Sequence, residues 1–141
     1  MTKTIETNIE INSKQETVWQ ALSRFSEYKR WNFGTWFSKE PVLGKWQIMH
    51  VKLFGVWVVV PVKILCYNSR EGVRWKGGIP FIFMGSHYFK TEKISDDKTL
   101  YIQGEDFNGI AVPLLLPVMK KTLFTLYHGG NNNIKDYCES Q

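Results

Sequence analysis

The stretch from Val112 to Cys138 constrains this chain more than any other. Read at helical spacing, Val112, Leu116, Met119, Leu123, Leu126, Gly130, Ile134 and Cys138 recur three or four residues apart, which draws an apolar stripe down one face. No other segment carries a helical pattern of that length, and most of what precedes it reads as strand. A lone helix of this kind is not stable in water, so the stripe has to lie against something apolar.

The strands come in chain order. Thr4 to Asn12 alternates, with Ile5, Ile9 and Ile11 on one face and Glu6, Asn8 and Glu10 on the other, the pattern of a half-buried strand. Ser13 and Glu16 have the spacing of a capping box, and Val18, Trp19, Leu22 and Phe25 follow at helical spacing, which predicts a short amphipathic helix over Lys14–Ser23. A further helical turn is expected over Ser26–Arg30. Trp36–Ser38, Trp46–Leu53 and Val56–Tyr67 then read as strands. Pro61 cannot donate to a ladder, so it marks an edge or a bulge. With Lys63 turned to solvent, Val58, Val60, Val62 and Ile64 face inward. Trp57, Val59 and Leu65 on the other side are apolar too, so something is expected to cover that face as well; a second copy of the chain, forming a homodimer, is one candidate. Val73 to Lys76 alternates and Gly77-Gly78 is expected to end it. Gly85–Lys93 puts His87, Phe89 and Thr91 on one side, and Thr99–Phe107 is the last strand. Pro117 divides the C-terminal stretch, leaving Ile110–Leu116 as either helix or a loop over a cavity mouth, with Val118–Cys138 as the helix proper.

A twisted sheet of about six antiparallel strands curls, and its concave side must be filled. The last helix is the only large apolar element left to fill it. The expectation is an α+β fold, a curved antiparallel sheet wrapped around a long C-terminal helix, with residues 1–141 forming one domain.

Composition narrows the function classes. The six Trp, nine Phe and six Tyr suit a core or a pocket lining equally. Cys66 and Cys138 stand in apolar contexts without metal-ligand spacing and read as free thiols. The net charge of +5 is scattered and accompanied by no nucleic-acid motif, so a solvated face and no nucleic-acid partner are expected. Residues 1–11 lack the apolar run of a secretory leader, and Val56–Val62 is too short to span a bilayer, so a cytoplasmic protein is expected.

Several short motifs resemble a known superfamily when taken in order. They are Ile9-Glu10-Ile11 leading into Thr17–Leu22, then Phe25 to Trp31-Asn32, Val73-Arg74-Trp75 with Gly77, Gly85–Phe89, Glu105–Gly109, and Asn131–Lys135 with Ile134 where the pattern has Leu. Over nearly the whole chain the sequence resembles the START-like (SRPBCC) superfamily, in particular its polyketide cyclase/dehydrase and lipid-transport type members. The resemblance implies a helix-grip fold with a hydrophobic tunnel between sheet and helix, and a role anywhere among lipid carriers, cyclases, hormone receptors and co-chaperone domains. Gly129-Gly130 inside the helix and Pro117 inside the apolar run depart from the pattern.

No triad, HExxH, P-loop or GxGxxG is present, and no metal or cofactor is expected. His87 shares its strand face with Phe89 and is either a ligand-binding imidazole or a buried histidine bonded to its neighbours. Glu105 and Asp106 either orient the polar end of a ligand or are solvated rim carboxylates, and the second reading is favoured. The expected cavity lining is Trp31, Phe33, Trp75, His87, Phe89, Tyr101, Phe107, Met119, Leu123 and Tyr127. Ile79–Met84 is either a strand start or an apolar lip, with Phe81–Met84 touching a membrane or gating entry. The reading this favours is binding or transport of a hydrophobic small molecule, such as a lipid, polyketide or isoprenoid. The alternatives are a cyclase/dehydratase-type enzyme in the same cavity and a protein-interaction module.

Overall fold

A computed structural model describes residues 2–141. The elements are β1 (Lys3–Ile11), α1 (Gln15–Ser23), a 3-10 turn (Phe25–Glu27), α2 (Tyr28–Trp31), β2 (Thr35–Phe37), β3 (Trp46–Leu53), β4 (Val56–Asn68), β5 (Gly72–Ile79), β6 (Phe83–Ser95), β7 (Lys98–Asn108) and α3 (Val112–Glu139). The strands form one antiparallel sheet in the order β1-β7-β6-β5-β4-β3-β2. Strands β2 to β7 follow one another as hairpins, and β7 returns to pair with β1, setting Ile5 opposite Glu105 and Thr7 opposite Gln103. The sheet curls into a half-barrel that holds α3, which packs chiefly on β1. This is the α+β helix-grip architecture.

Alternation decides what the concave face carries. On β7 it is Thr99, Tyr101, Gln103, Glu105 and Phe107; on β5 and β6 it includes Val73, Trp75, His87 and Phe89. The apolar core is two clusters. One joins α1, α2 and the middle of the sheet to Ile134 and Cys138. The other joins Ile5 and Phe107 to Val112, Leu116, Leu123 and Tyr127. Between them runs a polar layer, with one residue from each of three elements: Thr7, Gln103 and Asn131.

Four local expectations are corrected. The Ser13–Glu16 capping box does not form; Lys14 is the N-cap without a side-chain bond, and Ser13 instead accepts from Thr99 Oγ1 through its carbonyl at 2.8 Å. Gly77-Gly78 does not end β5, because the strand runs through both. A Cβ on Gly77 would stand 3.0 Å from Val62 Cγ1 and 3.1 Å from the Pro61 carbonyl, so the missing side chain lets β4 approach. The helix starts at Val112, not at Pro117, so only residues 110–111 remain outside it. Pro113 lies in its first turn, where no N–H partner exists, and Pro117, on the exposed side, forgoes one bond, to the Pro113 carbonyl. Within α3, Tyr127 and Asn131 are buried where the stripe had Leu126 and Gly130.

Pro61 lies where β4 is half paired: its pairing with β5 begins only at Val62, so residues 56–61 meet β3 alone. The outer side of β4 is uncovered in the single chain, with Trp57, Val59 and Leu65 exposed. Cys66 and Cys138 are free thiols. No described helix is long and apolar enough to cross a membrane.

Candidate functional site

A cavity of about 490 Å³ lies between the concave face and α3. Small residues keep it open. Gly129 and Gly130 face it from the helix, and Gly77, Gly78 and Gly85 from the sheet. A Cβ on Gly129 would meet no atom within 4 Å. Of the ten residues expected to line such a space, the structure brings eight together in its wall: Phe33, Trp75, His87, Phe89, Phe107, Met119, Leu123 and Tyr127.

Trp31 and Tyr101 are not in the wall. Trp31 is buried behind Phe89, with Nε1 donating to the Ala21 carbonyl at 3.3 Å. Tyr101 faces inward but lies deeper, stacked on Phe89, and its hydroxyl has no partner among the described residues. Burial, then the neighbouring Tyr28, pushes that phenol well above its usual range.

One wall of the cavity is polar. His87 Nε2 stands 3.0 Å from Gln103 Oε1 and Nδ1 stands 3.3 Å from Glu105 Oε1. Tyr127 donates its hydroxyl to the same Glu105 oxygen through a short bond. Burial first, and then the Glu105 charge and hydrogen bond, raise the Tyr127 phenol far above its ordinary range, so it stays a donor. The Trp75 ring stacks on His87 with centroids 5.3 Å apart, and the Tyr127 ring meets the imidazole edge-on. His87 borders the cavity and is bonded to protein neighbours on both nitrogens, which is the arrangement expected of a buried histidine.

The rim reading of Glu105 is corrected. Consecutive strand residues point to opposite faces, so Glu105 enters the cavity while Asp106 goes out to meet Arg74 at 2.9 Å and Thr4 at 2.7 Å. Gln103 and Asn131 were missed as functional candidates, and Glu105 was considered only together with Asp106. The signal for Glu105 and Gln103 was available, because stepping back by two from Phe107 gives both. Among the described residues no group of three His, Cys, Asp or Glu side chains is placed to hold a metal ion.

Phe33 and Leu126 line the cavity yet are 64% and 38% exposed, so it opens to solvent between the α2–β2 loop and α3. The loops after α2, β3, β5 and β7 all lie at one end of the sheet, as the strand registers require. Each carries an exposed apolar residue: Phe33, Phe54, Phe81 and Ile110. Phe54 and Phe81 adopt φ of 52° and 66°, the left-handed region that bulky side chains avoid. The Ile110 amide donates to the Phe81 carbonyl at 3.0 Å and ties two of these tips together.

No protein-family model and no curated protein matches the chain at the level of sequence. Solved structures do match its shape. Ara h 8.0201 aligns over 100% of both chains with a TM-score of 0.74 at 13% identity. The Zhui aromatase/cyclase from Streptomyces sp. R1128 aligns over 99% of this chain and 94% of its own, with a TM-score of 0.71 at 13% identity. A START superfamily protein from Mycobacterium smegmatis aligns over 95% and 98%, with a TM-score of 0.69 at 16% identity.

Proposed function

We propose that this chain, which has the START/SRPBCC-like helix-grip fold, binds or carries a hydrophobic small molecule in the cavity between its sheet and α3. The observation that carries the reading is the cavity itself: a volume of about 490 Å³, apolar on most sides, kept open by glycines and furnished with one polar cluster. Ligand sites have that composition. Lipids, polyketides and isoprenoids are all of suitable character. Displacement of a lipophilic dye, together with native mass spectrometry after gentle purification, tests it. Failure to take up dye, or any co-purifying molecule, by the folded protein would sink the proposal.

The apolar end loops fit a bilayer as the place where such a molecule is exchanged. No Asp or Glu occurs from Pro41 to Arg70 or from Phe107 to Lys135, while Lys52, Lys120 and Lys121 fall in these stretches. Phe54 and Ile110 belong to these stretches, and apolar tips whose chain neighbours include lysine and no carboxylate suit an anionic lipid surface. Self-association through Trp57, Val59 and Leu65 is a separate proposal, and a monomer by light scattering at high concentration counts against it. Cytoplasmic residence belongs to the same reading of a carrier.

One observation favours a second reading, an enzyme of cyclase or dehydratase type. His87 and Glu105 meet in the half-buried cavity wall, within reach of each other for passing a proton to and from a bound substrate. Turnover lost in His87→Gln with dye affinity retained would support it over simple carriage.

A further inference from the structure

We propose that the cavity selects a neutral apolar molecule ending in a hydroxyl group, an alcohol or phenol that donates its hydrogen to Glu105 Oε2. This deepens the cavity-binding reading and rests on it.

Hydrogen-bond direction carries the argument. A backbone carbonyl only accepts, so Thr7 Oγ1 donates to the Gln103 carbonyl at 3.1 Å. That hydroxyl accepts from Asn131 Nδ2 at 2.8 Å, which turns Asn131 Oδ1 toward Gln103. Gln103 Nε2 donates to that oxygen at 2.8 Å and to the Tyr127 carbonyl at 3.3 Å. Gln103 Oε1 is therefore an acceptor, and His87 Nε2 must carry the hydrogen given to it. On the other side of the ring, Nδ1 and Glu105 Oε1 attract only with a hydrogen between them. The pair holds one proton in common and has no net charge.

Of the side-chain oxygens in this cluster, Glu105 Oε2 alone has no partner among the described residues. Its place is kept by Gly85, where a Cβ would collide with that oxygen, and Phe107 Cε1 stands 3.6 Å from the same point. The open valence is thus an acceptor set in apolar surroundings. A ligand hydroxyl satisfies it with a charge-assisted bond. A ligand carboxylate would place acceptor against acceptor, and a ligand ammonium would leave the neutral pair with an uncompensated positive charge.

The test is made on the ligand first, with the protein unaltered. Calorimetric titration with 2-naphthol, 2-methoxynaphthalene and 2-naphthoate compares a donor, the same ring with the donor capped, and an anion. A site built around a hydroxyl rejects the analogue lacking it, so naphthol should bind at least about ten-fold more tightly than its ether, and naphthoate more weakly still. In Glu105→Gln, shown to be folded by its unfolding transition, the naphthol-to-ether ratio should shrink. Equal affinities for naphthol and ether, or naphthoate binding tightest, would overturn the hydroxyl assignment and leave cavity binding standing. An unchanged ratio in Glu105→Gln would remove Glu105 as the acceptor. Uptake of none of the three, nor of a lipophilic dye, overturns the cavity reading itself.

Discussion

Gly85 and Glu105 share one small volume: the Glu105 carboxylate fills the space a side chain on residue 85 would need. The glycine is an ordinary strand residue in its backbone, without a positive φ, so alanine there meets a steric conflict and no conformational one. Because the obstructing atom is the end of a flexible side chain, Gly85→Ala should re-aim the carboxylate at a stability cost of about 1 kcal/mol or less. The preference for naphthol over its ether should fall toward one. Urea unfolding and calorimetry on the same preparation check both halves.

Tyr101 yields a stability prediction of the opposite sign. Its hydroxyl is buried without a partner among the described residues. Removing an unsatisfied buried hydroxyl relieves a desolvation penalty, so Tyr101→Phe should raise stability by about 1 kcal/mol. Dye affinity should be unchanged, since the residue stands outside the cavity wall. A loss of stability would show that a water or another group satisfies the hydroxyl.

The two helix glycines separate packing from space. Gly129 faces open room, so Gly129→Ala should gain about 1 kcal/mol from helix propensity alone. A Cβ on Gly130 would lie 3.5 Å from Gln103 Nε2, an ordinary contact, and a larger side chain there would extend into the cavity. Gly130→Leu should therefore fold and lose dye binding. If it unfolds instead, the space is core and the added atoms overpack it.

Phe81 is 88% exposed and held at φ 66°, a conformation that costs a bulky residue about 1 kcal/mol or more. Phe81→Gly should lose no stability, because relief of that strain offsets the entropy of glycine. Co-sedimentation with vesicles containing phosphatidylglycerol should drop several-fold, and the drop should be larger when Phe54→Gly is added. Equal sedimentation of the wild type and both variants would remove the end loops as a lipid-docking surface.

Asp106 sets a pH dependence. Burial alone would raise its carboxyl, but the hydrogen bonds from Thr4 and Arg74 and the charges of Arg74 and Lys90 outweigh that and hold it below the usual carboxylate value. A carboxyl lowered in the folded state stabilises fully above its unfolded pKa, and that contribution is lost as pH falls through the folded value. Wild-type stability should thus decline below about pH 4, and Asp106→Asn should show a shallower decline across the same acid range, measured by thermal unfolding at stepped pH.

The architecture was legible because the period-2 strands and the 3.6-period stretch point to the same concave surface, and no local signal contradicts them. The site was legible where alternation was unambiguous, as for Trp75, His87 and Phe89. On β7 it was incomplete: Phe107 was placed in the wall, but Leu100 and Ile102 oppose Tyr101 and Gln103 and both faces look equally buriable. Glu105 was then grouped with its neighbour Asp106 by charge, although the pleat separates them. Trp31 was misplaced for a different reason: its large apolar ring suits a wall or a core alike, and only the hydrogen bond to the Ala21 carbonyl decides. Proline and cap signals are local, and at Ser13 and Pro117 tertiary structure overrode them.

The polar layer of Thr7, Gln103 and Asn131 also bears on how the molecule breathes. It separates an apolar cluster that includes the C-terminal turns of α3 from one that holds the first half of that helix, and the helix crosses it just after Gly129-Gly130. Cooperative units of exchange tend to follow such divisions. The amides of residues 116–128 should then exchange faster than those of 131–139, as two plateaus and not one. A guest entering the cavity would need to melt only the looser plateau, leaving the rest of the helix as its fixed stem.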